Sequence, residues 1–249
     1  MTPTTAVILA AGKGTRMGSD LAKVLHPLAG RPLIHHVLDT CRALGVARIV
    51  VVVGHQRDRV EASVAPWSPT CVVQDRQLGT GHAVRCAEAA CIGDTVLVLC
   101  GDCPLTPPSL LRSVLDRRSA APGVAVAARM PDPTGYGRMV VGGDGRLERI
   151  VEHKDASAAQ RTIDLINSGI YAFERAALFR LLAKITPQNA QGEYYLTDVI
   201  ALLRGEGAPV ELVITEDPAA VLGVNTPADL ATAERLLAER LRQERHAAN

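Results

Sequence analysis

The chain has 249 residues, enough for one large α/β domain or two small ones, and 47% of them are hydrophobic, which supplies a sizeable core. Its 27 basic and 26 acidic residues give a formal charge of +1, without the basic excess typical of nucleic-acid or anionic-membrane surfaces. No segment approaches the ~20 apolar residues of a membrane span, and no signal-like segment precedes the first predicted strand. We therefore expect a cytoplasmic protein with no nucleic-acid and no membrane partner.

The first predicted element is a strand that runs into a glycine-rich loop, with the sequence VILAAGKGTRMG at residues 7–18. The residues up to Ala11 are apolar and predict a short buried strand, and the glycines let the backbone adopt positive φ and approach a ligand closely. The connection from residue 12 to residue 32 is far longer than the roughly 4 to 6 residues usual between elements, which is typical of a functional loop. Three basic residues lie in it: Lys13, Arg16 and Lys23. The pattern indicates a phosphate-binding loop.

Two other glycine motifs fit this loop poorly. A P-loop needs Lys and then Ser or Thr directly after its last glycine, but Gly18 is followed by Ser19 and Asp20. A dinucleotide fingerprint would need a third glycine where Met17 stands. A solvated loop with scattered basic residues stays open as an alternative.

Strands and helices alternate after this loop, which implies parallel pairing with right-handed crossovers. A β-branched run such as residues 49–53, IVVVV, predicts a strand buried on both faces. The predicted strands are residues 47–54, 71–74, 95–99 and 123–128. The predicted helices are residues 32–44, 55–65 and 107–118. A fourth predicted helix begins in a second glycine-rich loop, QLGTGHA at residues 77–83, and runs to about residue 91. Asp102 follows the strand at 95–99, at the edge where open α/β sheets bind ligands.

From residue 131 the predicted elements become shorter. GGDG at residues 142–145 predicts a hairpin turn between strands at 139–141 and 147–151, which we interpret as a substrate-facing insertion. The remaining predicted elements are a strand at 166–171, helices at 175–184 and 196–203, a strand at 210–214 that closes the sheet, and a terminal helix at 227–246. That helix carries an apolar stripe expected to pack back on the body: Leu230, Ala233, Leu237 and Leu241. The fold class predicted is α/β, with a Rossmann-like mixed, mainly parallel sheet flanked by helices and a small β-rich insertion.

The six cysteines suit a reduced compartment better than a disulfide framework, since several lie in apolar runs. The CGDC run at residues 100–103 has spacing compatible with redox chemistry or half of a zinc site, but Cys86 and Cys91, the other close pair, are poorly spaced to complete one. We expect ordinary small buried residues here.

Two motifs, LAAGKGTRM at residues 9–17 and KVLHPLAGRP at residues 23–32, are similar to the signature of the sugar-1-phosphate nucleotidyltransferases. The KVLH wording resembles the uridylyltransferase half of the bifunctional N-acetylglucosamine-1-phosphate uridylyltransferase/glucosamine-1-phosphate acetyltransferases, the GlmU family. The resemblance extends through several motifs in the same order, from residue 6 to about residue 230. It implies the nucleotide-diphospho-sugar transferase fold, with residues 1–226 as the nucleotidyltransferase domain and residues 227–249 as a C-terminal helical arm.

The resemblance also implies a nucleotide site. The backbone of four residues in the first loop would contact the nucleotide: Leu9, Ala10, Ala11 and Gly12. Gln74 and the turn at Gly79 and Thr80 would read uracil, since an amide and backbone groups match its donor and acceptor edge. Cys100 and Gly101 would line the site, although the family often has a larger or more polar residue at the first of these positions. Without the resemblance, Gln74 would be a polar residue at a strand end.

The same resemblance implies a Mg²⁺ cofactor held by Asp102 and Asn225, in keeping with the preference of this ion for oxygen ligands. Arg16 and Lys23 would be the catalytic residues that stabilise the charge on the phosphoryl oxygens, and Lys13 would assist them. An Asp at the end of a buried strand can otherwise cap the next helix, an alternative for Asp102 that stays open.

Gly137, Glu152 and Asn167 would bind the sugar, since GYGR at 135–138, EHKD at 152–155, NSG at 167–169 and GEYYLTD at 192–198 resemble the family's sugar-side motifs. The alternative for Glu152 is a solvated charged turn. His82 and His153 are expected to be structural, because the implied chemistry needs no general base.

The implied reaction transfers a uridylyl group from UTP to N-acetylglucosamine-1-phosphate. Bifunctional members continue into a left-handed β-helix that carries the acetyltransferase, but these 249 residues contain no hexapeptide repeat. We therefore expect uridylyl transfer alone, by a monomer or a weak oligomer. The same transfer with another sugar phosphate or nucleotide stays open. A non-catalytic nucleotide-sugar sensor is the other alternative, but it should have lost at least one of four residues that are all present here: Arg16, Lys23, Asp102 and Asn225.

Overall fold

The computed structural model describes residues 3–247, and in this range nine strands form one mixed sheet with helices on both faces. The strands are β1 (Thr4–Ala10), β4 (Arg48–Val53), β5 (Thr70–Val73), β6 (Thr95–Cys100), β7 (Gly123–Arg129), β8 (Arg138–Val141), β9 (Leu147–Val151), β10 (Leu165–Glu174) and β11 (Val210–Thr215). A separate hairpin pairs β2 (Pro27–Leu28) with β3 (Arg31–Pro32). The helices are α1 (Leu33–Leu44), α2 (Arg57–Val64), α3 (Thr80–Cys86), α4 (Pro108–Arg118), α5 (Ala158–Arg161), α6 (Arg175–Leu182), α7 (Asp198–Gly205) and α8 (Pro227–Ala247).

The strand order is β11-β7-β10-β6-β1-β4-β5, and β8 pairs with β10 and β9. The pairs β1–β4, β1–β6, β4–β5 and β7–β11 are parallel, whereas β10 runs antiparallel to β6, β7 and β8. The predicted fold class, a mainly parallel mixed sheet flanked by helices, is therefore confirmed.

Strand β1 lies at the centre of the molecule because both of its faces are apolar. Val7 points into one core cluster, together with residues of α3, α6 and α7, while Ala6 and Ile8 point into a second cluster, with residues of α1, α2 and α4. Alternate residues of a strand face opposite sides of the sheet. A continuous apolar run is thus what a strand covered by helices on both faces requires.

Several predicted boundaries were wrong. The helix expected to reach residue 91 ends at Cys86 and is followed by a 3₁₀ turn at Glu88–Ala90, after which the Ile92 amide donates to the Thr5 hydroxyl (2.9 Å) as the chain turns into β6. The helix expected from residue 55 begins at Arg57, since Gln56 has a left-handed backbone conformation with φ of 51°. The first long loop contains the β2–β3 hairpin and two 3₁₀ turns, Thr15–Met17 and Lys23–Leu25, none of which was predicted.

The terminal helix α8 packs on the body through the first part of its apolar stripe. Ala233 is fully buried, and Leu230 and Leu237 pack against the same small cluster, as expected. Leu241 is 42% exposed, so its predicted burial was wrong. Arg240 faces the body instead, because its guanidinium donates to the carbonyl of Leu105 (2.5 Å) and to Asp217 Oδ2 (2.6 Å). Within the described residues, no helix has both the length and the apolar character needed to cross a bilayer.

Candidate active site

The loop after β1 is shaped by close backbone contacts. Gly14 has φ of +69°, and a Cβ on it would lie 2.6 Å from Lys23 Cβ, so only glycine lets the two segments of the loop approach this closely. The carbonyl of Ala11 accepts hydrogen bonds from the His55 amide (3.1 Å) and from Gln77 Nε2 (2.9 Å). These contacts hold the end of β1 against the two neighbouring loops.

Four predicted site residues form one hydrogen-bonded cluster, although Asp102 and Asn225 lie far along the chain from the first loop. Lys23 Nζ donates to Asp102 Oδ2 and to Asn225 Oδ1, the latter at 3.0 Å. Arg16 donates to the same Asn225 oxygen at 2.9 Å. Asn225 stands just before α8, where Asp229 Oδ2 accepts from the amides of Asn225 (3.0 Å) and Thr226 (2.9 Å) and so fixes the start of the helix.

The ammonium of Lys23 stays charged in this setting. Burial by itself opposes the charge, but the carboxylate of Asp102 and its hydrogen bond outweigh that effect, so the pKa of Lys23 is raised above its ordinary value. The side chains of the pair are 20% and 12% exposed. A positive charge is thus held in a largely water-excluded position between two oxygen atoms that accept its hydrogen bonds.

A cavity of about 270 Å³ opens beside this cluster at the carboxyl ends of β1 and β6. Ten of the predicted site residues line it: Leu9, Ala10, Ala11, Gly12, Lys23, Gln74, Gly79, Thr80, Cys100 and Asp102. Gly101 lies behind this wall, where its amide donates to the carbonyl of Leu9 (3.0 Å). Lys13 is exposed and lines a neighbouring cavity with His55 and Arg57.

Gln74 is 3% exposed, at the end of β5. Its Nε2 donates to the carbonyl of Gly79 (3.1 Å) and lies 3.0 Å from His82 Nδ1. Burial lowers the pKa of His82, which favours its neutral form. The turn at Gly79 is clamped from the other side by Tyr194, whose amide donates to Leu78 (2.8 Å) and whose carbonyl accepts from Gly81 (2.8 Å).

The three predicted sugar residues form a second cluster. The Asn167 amide donates to the Gly137 carbonyl (2.9 Å), and a Cβ on Gly137 would lie 3.4 Å from Glu152 Oε2. Asn167 Oδ1 accepts from the Tyr171 hydroxyl (2.8 Å), and Glu152 Oε1 accepts from the Thr197 hydroxyl (3.3 Å). Burial, followed by nearby acidic groups, raises the pKa of Glu152 even though the Thr197 hydrogen bond opposes the shift.

The two clusters adjoin at Cys100. Its thiol donates to the carbonyl of Gly169 at 3.7 Å, two residues beyond Asn167 on β10. All six cysteines are free. The thiol of Cys103 lies buried behind Cys100, and its contact with that thiol, its burial and the nearby Asp102 carboxylate raise its pKa well above the ordinary range.

Comparisons with known proteins identify the family of this chain. A family model described as the MobA-like NTP transferase domain matches residues 6–167. The chain belongs to this family of nucleotidyltransferases. It is 48% identical over 243 residues to "Bifunctional protein GlmU" of Acidovorax sp. (strain JS42), covering 94% of this chain and 51% of the relative. Proteins of the same name from Shouchella clausii (strain KSM-K16) and Geobacter metallireducens (strain ATCC 53774 / DSM 7210 / GS-15) are 44% and 46% identical, over 96% of this chain and 53% and 51% of their own length. The chain thus spans about half the length of these relatives.

Magnesium, the ion that the sequence resemblance implies, fits the oxygen ligands of this candidate site. Asp102 Oδ2 and Asn225 Oδ1 already converge on one cation, the Lys23 ammonium. A carboxylate and an amide oxygen are the ligand types that Mg²⁺ takes from proteins, usually one or two at a time, with phosphates and water completing the octahedron. The donor set therefore suits a metal that is shared with a bound phosphate.

Two residues that line the candidate site were not among the predicted site residues. Gln77 and Glu193 also line the main cavity. Gln77 belongs to the second glycine-rich loop and was within reach of sequence reasoning. Glu193 belongs to the 192–198 motif that the resemblance assigned to the sugar side, and it reaches the main cavity because Tyr194 clamps the second glycine-rich loop through long-range hydrogen bonds.

Proposed function

We propose that this chain transfers the uridylyl group of UTP to N-acetylglucosamine-1-phosphate. An oxygen of the sugar phosphate attacks the α-phosphorus of UTP, the bond to the bridging oxygen breaks, and pyrophosphate leaves. The observation that carries the proposal is the Lys23, Asp102 and Asn225 cluster at the rim of a cavity walled by the glycine-rich loop. Two anionic reactants need positive charge beside them before they can approach, and Lys23, Arg16 and a cation held by Asp102 and Asn225 would supply it here.

In this proposal the cavity binds the nucleotide. Residues 9–12 contact it through backbone groups, and the base lies against Gln74 and the Gly79–Thr80 turn. An amide side chain flanked by backbone groups can match the donor and acceptor edge of uracil. The supporting observation is that Gln74 is buried and tied to the Gly79 carbonyl, so that its orientation is set before a base arrives.

The phosphates lie at the basic rim. Asp102 and Asn225 would hold Mg²⁺, which when bound would offset the negative charge of the phosphates. Lys23 and Arg16 stabilise the negative charge that develops on the pyrophosphate and α-phosphoryl oxygens, and the exposed Lys13 assists. The attacking phosphate oxygen is already ionised, so the reaction needs no general base.

The sugar lies against the second cluster, where Gly137, Glu152 and Asn167 bind its hydroxyls and acetamide. The hydrogen bonds from Thr197 to Glu152 and from Tyr171 to Asn167 fix the two side chains before the sugar binds. Cys100 lies between the nucleotide and the sugar regions.

The remaining proposals concern organisation. We infer that residues 1–226 act as the nucleotidyltransferase unit and residues 227–249 as a helical arm. We also infer that the 249 residues alone do not transfer acetyl groups and that they form a monomer or a weak oligomer. Acetylation of glucosamine-1-phosphate by this chain would contradict the first of these two inferences, and a stable trimer in light scattering would contradict the second. A cytoplasmic location stays a prediction from the sequence.

Pyrophosphate release, measured over a panel of nucleoside triphosphates and sugar-1-phosphates, tests the proposal. We expect the highest kcat/KM for UTP with N-acetylglucosamine-1-phosphate. A higher value for another pair would reassign the substrates, and release from no pair at all would refute the proposed reaction.

A further inference from the structure

The turn after β6 brings three different metal-binding groups together. Within the part of the chain that the structure describes, the ligand atoms of Cys100, Asp102 and Cys103 all lie within 4.8 Å of one another. A backbone hydrogen bond from the Cys103 amide to the Cys100 carbonyl (3.2 Å) closes the turn that carries these side chains. Two sulfur atoms and one oxygen atom therefore lie close enough together to share one cation after small side-chain adjustments.

The two oxygens of Asp102 point to different partners. Oδ2 accepts from Lys23, on the side proposed for Mg²⁺, whereas Oδ1 lies 3.8 Å from Cys103 Sγ. One carboxylate thus belongs to two sets of ligands. Its set with Asn225 consists of oxygen atoms, whereas its set with the two thiols also contains sulfur.

The backbone of this turn is anchored by three segments. The Gly101 amide donates to the Leu9 carbonyl (3.0 Å), and the Val224 amide donates to the Asp102 carbonyl (2.9 Å). The Thr106 hydroxyl donates to the carbonyls of Cys103 (3.2 Å) and Ala220 (2.8 Å). The backbone that carries the three ligand residues is therefore held in place, and only side-chain rotation is needed to bring the ligand atoms to a metal.

We propose that Cys100, Asp102 and Cys103 form a binding site for a soft or borderline divalent cation of the Zn²⁺ class. Sulfur ligands select such ions against Mg²⁺. With bond lengths of about 2.3 Å to sulfur and about 2.0–2.2 Å to oxygen, tetrahedral coordination separates ligand atoms by roughly 3.4–3.8 Å. Side-chain rotation that closes the present spacing by about 1 Å completes the site, and three protein ligands leave a fourth position for water or a substrate atom.

Two consequences follow. A cation on Oδ1 shares the single negative charge of Asp102 with the Mg²⁺ proposed at Oδ2, so each ion weakens the binding of the other. Since Cys100 lines the main cavity, the cation also alters the nucleotide pocket. Inhibition of uridylyl transfer by Zn²⁺ rests on the proposed function, whereas binding of the metal does not.

A Co²⁺ titration of the full chain, with the thiols kept reduced by a phosphine, tests the binding. We expect one Co²⁺ per chain, with a sulfur-to-cobalt charge-transfer band and the visible bands of tetrahedral cobalt, both of which Zn²⁺ removes by displacement. In Cys103→Ser the charge-transfer band falls to that of a single thiolate, and in Cys100→Ser with Cys103→Ser it disappears. Cys86→Ser, a half-buried cysteine on α3, is the matched control and keeps the full band.

Absence of the band from the parent chain, with all six thiols titrating as free, overturns the proposal, as does a band that survives in the double variant. Circular dichroism confirms that each variant is folded. In the pyrophosphate assay, Zn²⁺ should inhibit the parent chain, added Mg²⁺ should relieve the inhibition, and the fractional inhibition should be smaller in Cys103→Ser. Inhibition that Mg²⁺ does not relieve would overturn the sharing of Asp102. If no substrate pair is turned over, the proposed function fails, and the cobalt spectrum still decides the metal site.

Discussion

Lys23→Ala is the most informative single substitution in this site, because Lys23 contacts both proposed metal ligands. Its side chain is 20% exposed and that of Asp102 is 12% exposed, so its charge acts in a largely water-excluded position. Removal of a preorganised charge or donor from such a site commonly lowers turnover by roughly 10²- to 10³-fold, or about 2.7–4 kcal/mol of transition-state stabilisation. An exposed ion pair, in contrast, contributes about 0–1 kcal/mol.

The assay is steady-state pyrophosphate release at saturating UTP and sugar phosphate, with urea unfolding of each variant to separate rate from stability. Lys184→Ala is the matched control, since Lys184 also pairs with a carboxylate, that of Glu206, but the two side chains are 53% and 36% exposed. The control should keep parental turnover. If Lys23→Ala also kept parental kcat and showed only a higher KM for UTP, Lys23 would act in ground-state binding, and its proposed catalytic role would be refuted.

Three further predictions concern other parts of the site. Asp102→Ala should remove most activity and its dependence on divalent metal, with circular dichroism close to that of the parent; undiminished turnover of the parent in excess chelator would contradict this. Glu152→Gln should raise KM for the sugar phosphate more than KM for UTP. Burial raises the pKa of Glu152 in the folded state, so the stability present below the unfolded pKa is lost as pH rises through the folded pKa. Gln does not titrate, so the melting temperature of Glu152→Gln relative to the parent should rise between the unfolded and the folded pKa of Glu152. A difference in melting temperature that does not change with pH would contradict the raised pKa. Gly79→Ala should cost about 1–3 kcal/mol or more in urea unfolding, because φ is +109° and the new Cβ would lie 2.6 Å from the Tyr194 carbonyl, whereas Gly143→Ala has open space and should be near neutral.

The sequence predicted the sheet well where the apolar pattern is continuous. Residues 50–53 and 95–99 are buried on both faces of the sheet, and a segment of that kind is compatible with few structures other than a central strand. The antiparallel direction of β10 and the early end of α3 were not predicted, because both are determined by distant segments that pack beside these elements. The contact of the Ile92 amide with Thr5, for example, joins residues 87 positions apart and leaves no trace in the local pattern.

The candidate site shows the same division. The glycine-rich loop and the second loop at 77–83 were evident from local composition, and both contribute to the cavity. The cluster of Lys23 with Asn225 joins residues 202 positions apart. Composition alone gave no reason to pair them, and only the resemblance to a family did so. The convergence of Cys100, Asp102 and Cys103 was only partly visible as C-x-x-C spacing, since that spacing does not show that the carboxylate between them turns to the same side.

Phosphorus NMR of the purified chain with UTP, N-acetylglucosamine-1-phosphate and Mg²⁺ tests the central claim most directly. The account predicts that the UTP and sugar-phosphate signals decline together while a sugar-linked diphosphate and pyrophosphate appear in equal amounts, and that nothing changes when either substrate is left out. Cleavage of UTP that does not depend on the sugar phosphate, or intact substrates after prolonged incubation with the folded chain, would contradict it.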